Sequence, residues 1–401
     1  MFSKFHRFDW PIRSEAAEKA IIAQFRESVS LYKKEGIYEQ FEVTFADYHD
    51  LEHAVVFNSG TTAIWAMFGC LKLEPGDEIL VPTYTFFATI SPMIQWGLVP
   101  IFCDCSSDGN FDPDEIQKKV TNRTKAVIVT HMWGVPCDMS RLSELCKRLG
   151  LYLLEDCSHA HGASIQGVKV GAWGDIAAWS LQGKKLVSAG QGGIMATNNS
   201  QFYEKAVFLG HFNKRCFQEV SPQSPYRPYC LTGAGMNLRP SPLAIALAHE
   251  QFSHLDEWLD WKQVFAQEFM ERVGKIPFLK MPVIREGATS AWYALVMQFE
   301  HDLAPCSREE FVRFLNNEYN LGEADIPMST CPNHLLPLFV NPEVIRPDLY
   351  PAPIVQRDEF PVAKQFHSGA IKIFVPVQES DQEAFENYIV GFLNAADHFC
   401  H

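Results

Sequence analysis

The sequence lacks the patterns that mark disulfide-bonded, zinc-binding and membrane proteins. Its eleven cysteines are scattered without a C-x-x-C pair, which argues against a disulfide framework and a structural zinc site. No apolar run approaches the length of a membrane span. Residues 1–10 mix polar and aromatic side chains and contain no apolar stretch of signal-peptide length. We therefore expect a cytoplasmic protein with no metal site and no membrane contact.

Positive charge is also scarce. Lysine and arginine total 34 against 48 aspartates and glutamates, which gives a formal net charge of −14. This excess argues against a nucleic-acid partner, although it still permits a local basic pocket for a phosphate. No G-x-G-x-x-G run follows the first predicted strand, which disfavours a nicotinamide-dependent enzyme. The composition is that of an ordinary globular protein, with 47% hydrophobic and 20% charged residues in a chain of 401.

Short apolar segments alternate with amphipathic ones between residues 53 and 198. Strands are predicted over residues 53–57, 78–81, 99–104, 126–130, 151–155, 176–181 and 193–197. Helices are predicted over residues 63–73, 86–96, 113–120 and 139–149. The strands are apolar on both faces, which indicates a mostly parallel sheet covered by helices. The last two strands are close together and are expected to be antiparallel.

The pattern changes near residue 250, where we place a domain boundary. We expect a large domain over residues 1–250, with an N-terminal arm, and a smaller C-terminal α+β domain over residues 251–401. The later elements are predicted to be a long helix at 243–259, the segment 292–299, a helix at 308–315, a loop-like region at 326–360 and a strand at 371–375.

Two lysines and an aspartate lie where parallel sheets carry their ligand groups. Asp156 ends one apolar strand, and Lys184 and Lys185 follow the next, just before a glycine-rich turn. The carboxyl ends of neighbouring strands meet in one cleft. A lysine there can form a Schiff base with the aldehyde of pyridoxal phosphate (PLP), while the carboxylate keeps the pyridine nitrogen protonated. The pattern therefore predicts a PLP site in which either lysine is the Schiff-base residue.

Other segments carry candidate contacts for this cofactor. Residues 58–63 join a strand to a helix through Gly60 and Thr61, and the N–H groups of a first helical turn suit a phosphate. His159 has three open roles: stacking on the ring, bonding the ring hydroxyl, or a structural role.

The aromatic pair Phe86 and Phe87 and the loop before the helix at 243 are weaker candidates. One of the two phenylalanines could cover a face of the ring, and at least one is expected in the core. Asn237 and Arg239 lie on a loop that could bind a phosphate or carboxylate, although a plain helix-entry loop is the favoured interpretation. Cys157 is expected to be a small core residue rather than a nucleophile.

Together these segments resemble the DegT/StrS-type sugar aminotransferase family, which has the aspartate-aminotransferase fold, fold type I. The resemblance covers residues 40–245. It lies in the order and spacing of the motifs at 45–48, 58–61, 75–78, 81–86, 131–134, 155–162, 180–193 and 235–239. It implies an α/β architecture: a three-layer αβα PLP-transferase fold with a mostly parallel central sheet and a smaller C-terminal α+β domain.

The resemblance also implies roles for single residues. The family pattern Ser-x-x-x-x-Lys selects Lys185 over Lys184, because Lys185 lies five residues after Ser180. Gly60, Thr61 and Ser180 would hold the phosphate, Phe86 would stack on the ring, Asp156 would pair with the ring nitrogen and His159 would contact the ring hydroxyl. Asn237 would reach the phosphate of the neighbouring subunit, which implies a homodimer with active sites at its interface. Lys185, Asp156 and His159 are the implied catalytic residues.

The implied activity is transfer of an amino group from L-glutamate or L-glutamine to a keto sugar or keto-cyclitol, in aminosugar or natural-product biosynthesis. Gln182 matches the branch that acts on keto-inositols, whereas Gln191 departs from the acidic residue common in the glycine turn. Two alternatives stay open: a PLP-dependent dehydratase or cyclase of the same fold, and a non-catalytic sensor or partner-binding protein on this scaffold. The presence of Lys185 favours transamination, because related sugar dehydratases have a histidine there.

Overall fold

The computed structural model describes residues 8, 10–354 and 359–400. Residues 1–7 and 9 of the predicted N-terminal arm lie outside the described residues, as do 355–358 and 401. The helices are α1 (Glu15–Glu27), α2 (Gly36–Tyr48), α3 (Gly60–Cys70), α4 (Pro92–Gln95), α5 (Asp114–Lys119), α6 (Met139–Leu149), α7 (Ser200–Gly210), α8 (Lys214–Glu219), α9 (Pro242–Phe252), α10 (Leu255–Val273), α11 (Arg308–Tyr319), α12 (Pro337–Val340), α13 (Pro361–Gly369) and α14 (Gln382–Cys400). The strands are β1 (His53–Phe57), β2 (Glu78–Pro82), β3 (Tyr84–Phe86), β4 (Val99–Cys103), β5 (Thr124–Thr130), β6 (Tyr152–Asp156), β7 (Ser164–Ile165), β8 (Val168–Lys169), β9 (Ile176–Ser180), β10 (Gly193–Thr197), β11 (Leu279–Lys280), β12 (Ala288–Thr289), β13 (Leu295–Phe299), β14 (Thr330–Pro332) and β15 (Ala370–Ile373).

Seven strands form the central sheet, in the order β1-β10-β9-β6-β5-β2-β4. The pairs from β9 to β4 are all parallel, whereas β10 runs antiparallel to both β9 and β1. The predicted mostly parallel sheet and the antiparallel pairing of its last two strands are therefore confirmed. Parallel pairing brings the carboxyl ends of β5, β6 and β9 to one edge of the sheet.

Helices cover both faces of this sheet. Val55 packs into a core formed with α3 and α7, whereas its neighbour Val56 packs into a core formed with α2 and α9. Ile79 likewise belongs to the first core, and Leu80 to a third core that includes α6. Because successive strand residues point to opposite faces, this alternation buries both sides of the sheet. The predicted three-layer αβα architecture is confirmed.

A second, antiparallel sheet of β11, β13 and β15 packs with α10, α11 and α14 around its own core. The predicted boundary at residue 250 falls within α9, whose Ile245 and Phe252 pack in the core of the large sheet. The division of the chain at that residue stays a prediction.

The helix predicted over 86–96 is wrong in its extent, because only a 3₁₀ turn at Phe87–Thr89 and the short helix α4 at Pro92–Gln95 are helical. Phe86 ends strand β3, which pairs with β14 so that Thr330 lies opposite Phe86. Helix α4 begins only at Pro92. Proline fits the first turn of a helix but disrupts a helix interior, because it has no N–H and its ring clashes with the preceding turn. The strand pairing itself joins segments far apart in the sequence, which local periodicity does not reveal.

Other helices also differ from the prediction in extent. The long helix predicted over 243–259 is two helices, α9 and α10, which are separated at Ser253 and His254. Helix α3 begins at Gly60 rather than at residue 63, because Ser59 and Thr62 cap it reciprocally. The backbone N–H groups of this first turn face the candidate site.

In the described part of the chain, no helix is both long and apolar enough to cross a membrane. The eleven cysteines all lie in this part, and none of them is joined in a disulfide. Eight of them are buried, where they act as small core residues.

Candidate active site

A cavity of about 500 Å³ opens at the carboxyl ends of β5, β6 and β9. Seven of the eight predicted site residues line it: Gly60, Thr61, Phe86, Asp156, His159, Ser180 and Lys185. Asn237 does not line this cavity; it is exposed on the loop before α9. The structure therefore brings together residues from four separate motifs.

The N-terminus of α3 forms one end of the cavity. Ser59 Oγ accepts a hydrogen bond from the Thr62 N–H at 3.1 Å, and the Thr62 hydroxyl accepts one from the Ser59 N–H at 3.2 Å. A Cβ on Gly60 would lie only 2.6 Å from Ser180 Cβ, so the helix approaches the end of β9 as closely as a glycine permits. The first turn of α3, Thr61 and Ser180 thus form a compact cradle of the kind that holds a phosphate.

Lys185 lies in a tight loop between β9 and β10. The loop is closed by backbone hydrogen bonds from Leu181 to Gly192 and from Gly183 to Gly190, each 2.9 Å long. Lys185 Nζ lies 4.5 Å from the ring centroid of Tyr293. Burial lowers the pKa of Lys185 to about 8, while the Asp156 carboxylate acts in the opposite direction. An appreciable fraction of the amine is therefore neutral near physiological pH.

Asp156, at the end of β6, is 4% exposed. Its carboxylate accepts hydrogen bonds from the Thr89 hydroxyl at 2.6 Å and from the Ser158 N–H at 3.0 Å. The Thr89 hydroxyl in turn contacts the hydroxyls of Thr85 and Thr130 at 3.0 and 3.2 Å. These contacts fix the carboxylate at the cavity wall.

His159 is buried between aromatic rings. Its ring lies parallel to that of Tyr293, with centroids 4.0 Å apart and an interplanar angle of 7°, and it also stacks on Trp133 at 5.6 Å. Burial holds the pKa of His159 well below its usual range, and the positive charge of Lys185 adds to this effect. Its Nδ1 is buried and has no hydrogen-bond partner among the described residues. The neutral imidazole is therefore able to bond a polar group of a ligand.

The expectation that at least one of Phe86 and Phe87 lies in the core is wrong. The two side chains are 36% and 41% exposed, and their ring centroids lie 4.5 Å apart. Phe86 is the exposed last residue of β3, whose Tyr84 and Thr85 are buried, and Phe87 begins the short 3₁₀ turn Phe87–Thr89 that follows. Phe86 lines the cavity, whereas Phe87 packs against Phe86 from outside.

Tyr293, Lys372 and Asp325 also line the cavity, and the sequence analysis missed all three. Tyr293 precedes β13 and Lys372 lies in β15, far along the chain from the motifs at 58–193. Neither residue stands in a turn or at the carboxyl end of a parallel strand. No local signal marks them, because only the packing of the second sheet brings them to the cavity.

A buried cluster behind the site contains residue types that bind metals. The ligand atoms of His131, Glu155 and Cys157 lie within 4.8 Å of one another. Glu155, however, accepts three backbone N–H bonds from residues 171–174 in addition to its contact with His131. Burial, with the Glu155 and Asp156 charges, raises the pKa of Cys157 well above its usual value. The cluster is therefore a satisfied structural network with an unreactive thiol.

Four features of the cavity itself fit PLP. A phosphate cradle that only glycine allows lies at one end, and a buried carboxylate is available for the ring nitrogen. A lysine with a lowered pKa and an unpartnered imidazole nitrogen complete the set. This combination matches the polar groups of the cofactor.

The chain is also similar to known proteins. The profile of the DegT/DnrJ/EryC1/StrS aminotransferase family matches residues 15–350. The chain is 31% identical over 264 residues to dTDP-3-amino-3,4,6-trideoxy-alpha-D-glucose transaminase from Streptomyces venezuelae. This alignment covers 65% of this chain and 67% of that protein. It is 33% identical over 227 residues to L-glutamine:2-deoxy-scyllo-inosose aminotransferase from Streptomyces kanamyceticus. This second alignment covers 56% of this chain and 53% of that protein.

Among solved structures, the X-ray structure of the aminotransferase from Psychrobacter cryohalolentis superposes with a TM-score of 0.86 at 25% identity, over 99% of this chain and 100% of that one. The family match extends over most of the chain, and the fold and the cavity agree with it. This chain belongs to the DegT/DnrJ/EryC1/StrS aminotransferase family and is a PLP-dependent aminotransferase of fold type I.

Proposed function

We propose that the protein transfers an amino group from L-glutamate or L-glutamine to a keto sugar or keto-cyclitol in aminosugar or natural-product biosynthesis, and that it does so in the cytoplasm. The convergence of Lys185, Asp156 and the α3 N-terminus in one cavity carries the proposal. The names of two relatives, a dTDP-linked aminosugar transaminase and an L-glutamine:2-deoxy-scyllo-inosose aminotransferase, support the substrate class.

The residues divide into those that hold the cofactor and those that act on protons. The first turn of α3, with Thr61 and Ser180, would hold the phosphate. Phe86 would cover the ring, and His159 would bond the ring hydroxyl through its neutral imidazole. The ionised Asp156 carboxylate would keep the ring nitrogen protonated.

Lys185 is the residue that moves the proton. Bound PLP supplies an electron sink for the electron pair left when the donor's Cα–H bond breaks. Lys185, whose pKa is about 8, takes that proton as a neutral amine and delivers it as an ammonium within the same cavity. The ring of Tyr293 faces its Nζ at 4.5 Å and offers a weakly attractive surface for the ammonium form.

We also propose a homodimer in which Asn237 serves the partner's active site. Asn237 is exposed, and its loop carries the exposed apolar residues Tyr229, Leu231 and Met236. Exposed apolar residues grouped in this way are typical of an interaction surface.

Mixing subunits tests the shared site. Asn237→Ala and Lys185→Ala homodimers are each expected to be impaired. If Asn237 acts on the partner, heterodimers of the two variants regain one intact site and recover activity. No recovery in a mixture shown to contain heterodimers would contradict the shared site.

The visible absorbance of the purified protein with PLP tests the proposed reaction. Conversion to the pyridoxamine form on addition of L-glutamate or L-glutamine, with release of the keto acid, is the expected result. Absorbance of a lysine–PLP adduct that persists with every amino donor would favour the dehydratase or cyclase. Absence of that absorbance with PLP in excess would show that Lys185 forms no adduct and that the proposal is wrong.

A further inference from the structure

The cavity wall carries three lysines, Lys184, Lys185 and Lys372, and the described residues that line it include no arginine. The proposed function uses Lys185 for the cofactor and the proton. An amino acid donor also brings an α-carboxylate close to its reacting carbon. A carboxylate that leaves water needs a charged or hydrogen-bonding partner, because an unpaired buried charge is costly.

Lys372 projects from a well-anchored strand. Within the second sheet its backbone lies opposite Val296 of β13. It also exchanges two backbone hydrogen bonds with Asp325, at 2.9 and 3.0 Å. Nearby, the buried Lys262 ammonium donates to the carbonyls of Val375 and Trp292 at 2.6 and 2.8 Å, which ties the end of this strand to the segment carrying Tyr293.

The Lys372 side chain already holds a carboxylate that can be replaced. Its Nζ lies 3.1 Å from Asp325 Oδ2, and the two side chains are 29% and 58% exposed. An ion pair this open to solvent is weak, so an incoming carboxylate can replace Asp325 as the partner of the lysine. Asp325 therefore keeps the lysine on the cavity wall at little cost to the binding of another carboxylate.

Lys372 also lines the same cavity as Lys185 and His159. Together with Lys185, its positive charge contributes to the lowered pKa of His159. Lys372, Lys184 and Tyr293 border both this cavity and an adjoining one of about 120 Å³. Lys372 thus lies at the junction between the two, next to the Tyr293 ring that faces Lys185.

We propose that Lys372 binds the α-carboxylate of the amino donor, which replaces Asp325 as its partner. This inference rests on the proposed function, because it names a binding residue for the donor of that reaction. L-Glutamate and L-glutamine share the α-carboxylate, so Lys372 serves both donors equally.

The first half-reaction of the holoenzyme tests this directly. Stopped-flow absorbance gives an apparent Kd and a limiting rate for each donor. Lys372→Met is expected to raise the apparent Kd for both donors by roughly 10- to 100-fold, the effect of losing one charge-assisted hydrogen bond, with a much smaller change in limiting rate. Lys372→Arg should keep the apparent Kd within a few-fold of the wild type. Lys364→Met is the matched control, because Lys364 is exposed on α13 and does not line the cavity.

Binding of glutarate, a dicarboxylate without an amino group, gives a second readout that needs no turnover. Calorimetry should show weaker glutarate binding to Lys372→Met holoenzyme than to the wild type or Lys364→Met. An unchanged PLP absorbance spectrum would show that the Lys372→Met cavity is intact.

The possible failures are distinguishable. Wild-type holoenzyme that reacts with neither donor refutes the proposed function and this inference with it. Wild-type holoenzyme that reacts, together with Lys372→Met at unchanged apparent Kd, refutes the inference alone. An effect confined to L-glutamate also refutes it, because the γ-carboxylate and not the α-carboxylate would then be the ligand.

Discussion

Replacing Thr89 with valine removes a single hydroxyl from the carboxylate that we assign to the ring nitrogen. Thr89 is fully buried, and its hydroxyl donates to Asp156 Oδ2 at 2.6 Å. Valine has nearly the same shape but cannot donate. A hydrogen bond to a charged group contributes about 1.5–3 kcal/mol, so its loss removes about that much stabilisation from the Asp156 carboxylate.

A less stable carboxylate keeps the ring nitrogen protonated less effectively, and the electron sink weakens. If the whole loss is felt in the transition state, kcat falls by roughly 10- to 100-fold. Steady-state kcat with L-glutamate or L-glutamine measures this effect, and Thr89→Ser, which restores the hydroxyl, should return kcat to near the wild-type value.

The neighbouring threonine provides a matched control. Thr85 is equally buried and contacts the Thr89 and Thr130 hydroxyls at 3.0 Å, but it makes no hydrogen bond to Asp156. Thr85→Val should therefore lower kcat much less than Thr89→Val. In an Asp156→Asn background, Thr89→Val should have little further effect. Equal losses from both valine variants, or a full Thr89→Val loss in the Asp156→Asn background, would refute the reasoning.

Three further predictions concern the lysine and the phosphate cradle. Lys185→Ala should abolish both the visible absorbance of bound PLP and turnover, whereas Lys184→Ala should retain both; the reverse pattern would identify Lys184 as the cofactor lysine. Gly60→Ala places a Cβ 2.6 Å from Ser180 Cβ, so the α3 N-terminus must move, and equilibrium dialysis should show PLP binding weakened by at least about 10-fold. Only the neutral amine attacks the aldehyde, and burial lowers the pKa of Lys185 to about 8. The rate of PLP incorporation into apoprotein should therefore rise with pH and reach its half-maximum near pH 8. A half-maximum above pH 10 would contradict the lowered pKa.

Elements with local start and stop signals could be predicted from the sequence. Helix α6 was predicted with its observed ends, because Asp138 accepts the Arg141 N–H at its start and Gly150 adopts a φ of +67° at its end. Strand β10 was likewise predicted with its observed ends. The caps of α6 act within a few positions. Strand β10 pairs with β1 and β9, but its apolar run and the glycine turn before it are local signals.

Features that no local signal marks were not predictable. The segment at 86–96 has the apolar residues of a helix, but Phe86 pairs with Thr330 in a two-stranded sheet. That pairing makes Phe86 part of a strand, and helix α4 begins only at Pro92, a residue suited to the first turn of a helix. The break between α9 and α10 at Ser253 and His254 was also missed, since the apolar pattern continues across it.

The same distinction applies to the active site. The sequence alone predicted that Asp156, Gly60 and the Lys184–Lys185 pair meet at one edge of the sheet, because parallel strands bring their carboxyl ends and the following turns together there. The family resemblance, and not the strand pattern, selected Lys185 over Lys184. Only the tertiary structure brought Tyr293 and Lys372 to that edge, because their position depends on how the second sheet packs against the first. The side of the cavity formed by Asp156, Gly60 and the lysine pair was therefore readable from local motifs, whereas the side formed by Tyr293 and Lys372 was decided by contacts between residues far apart in the chain.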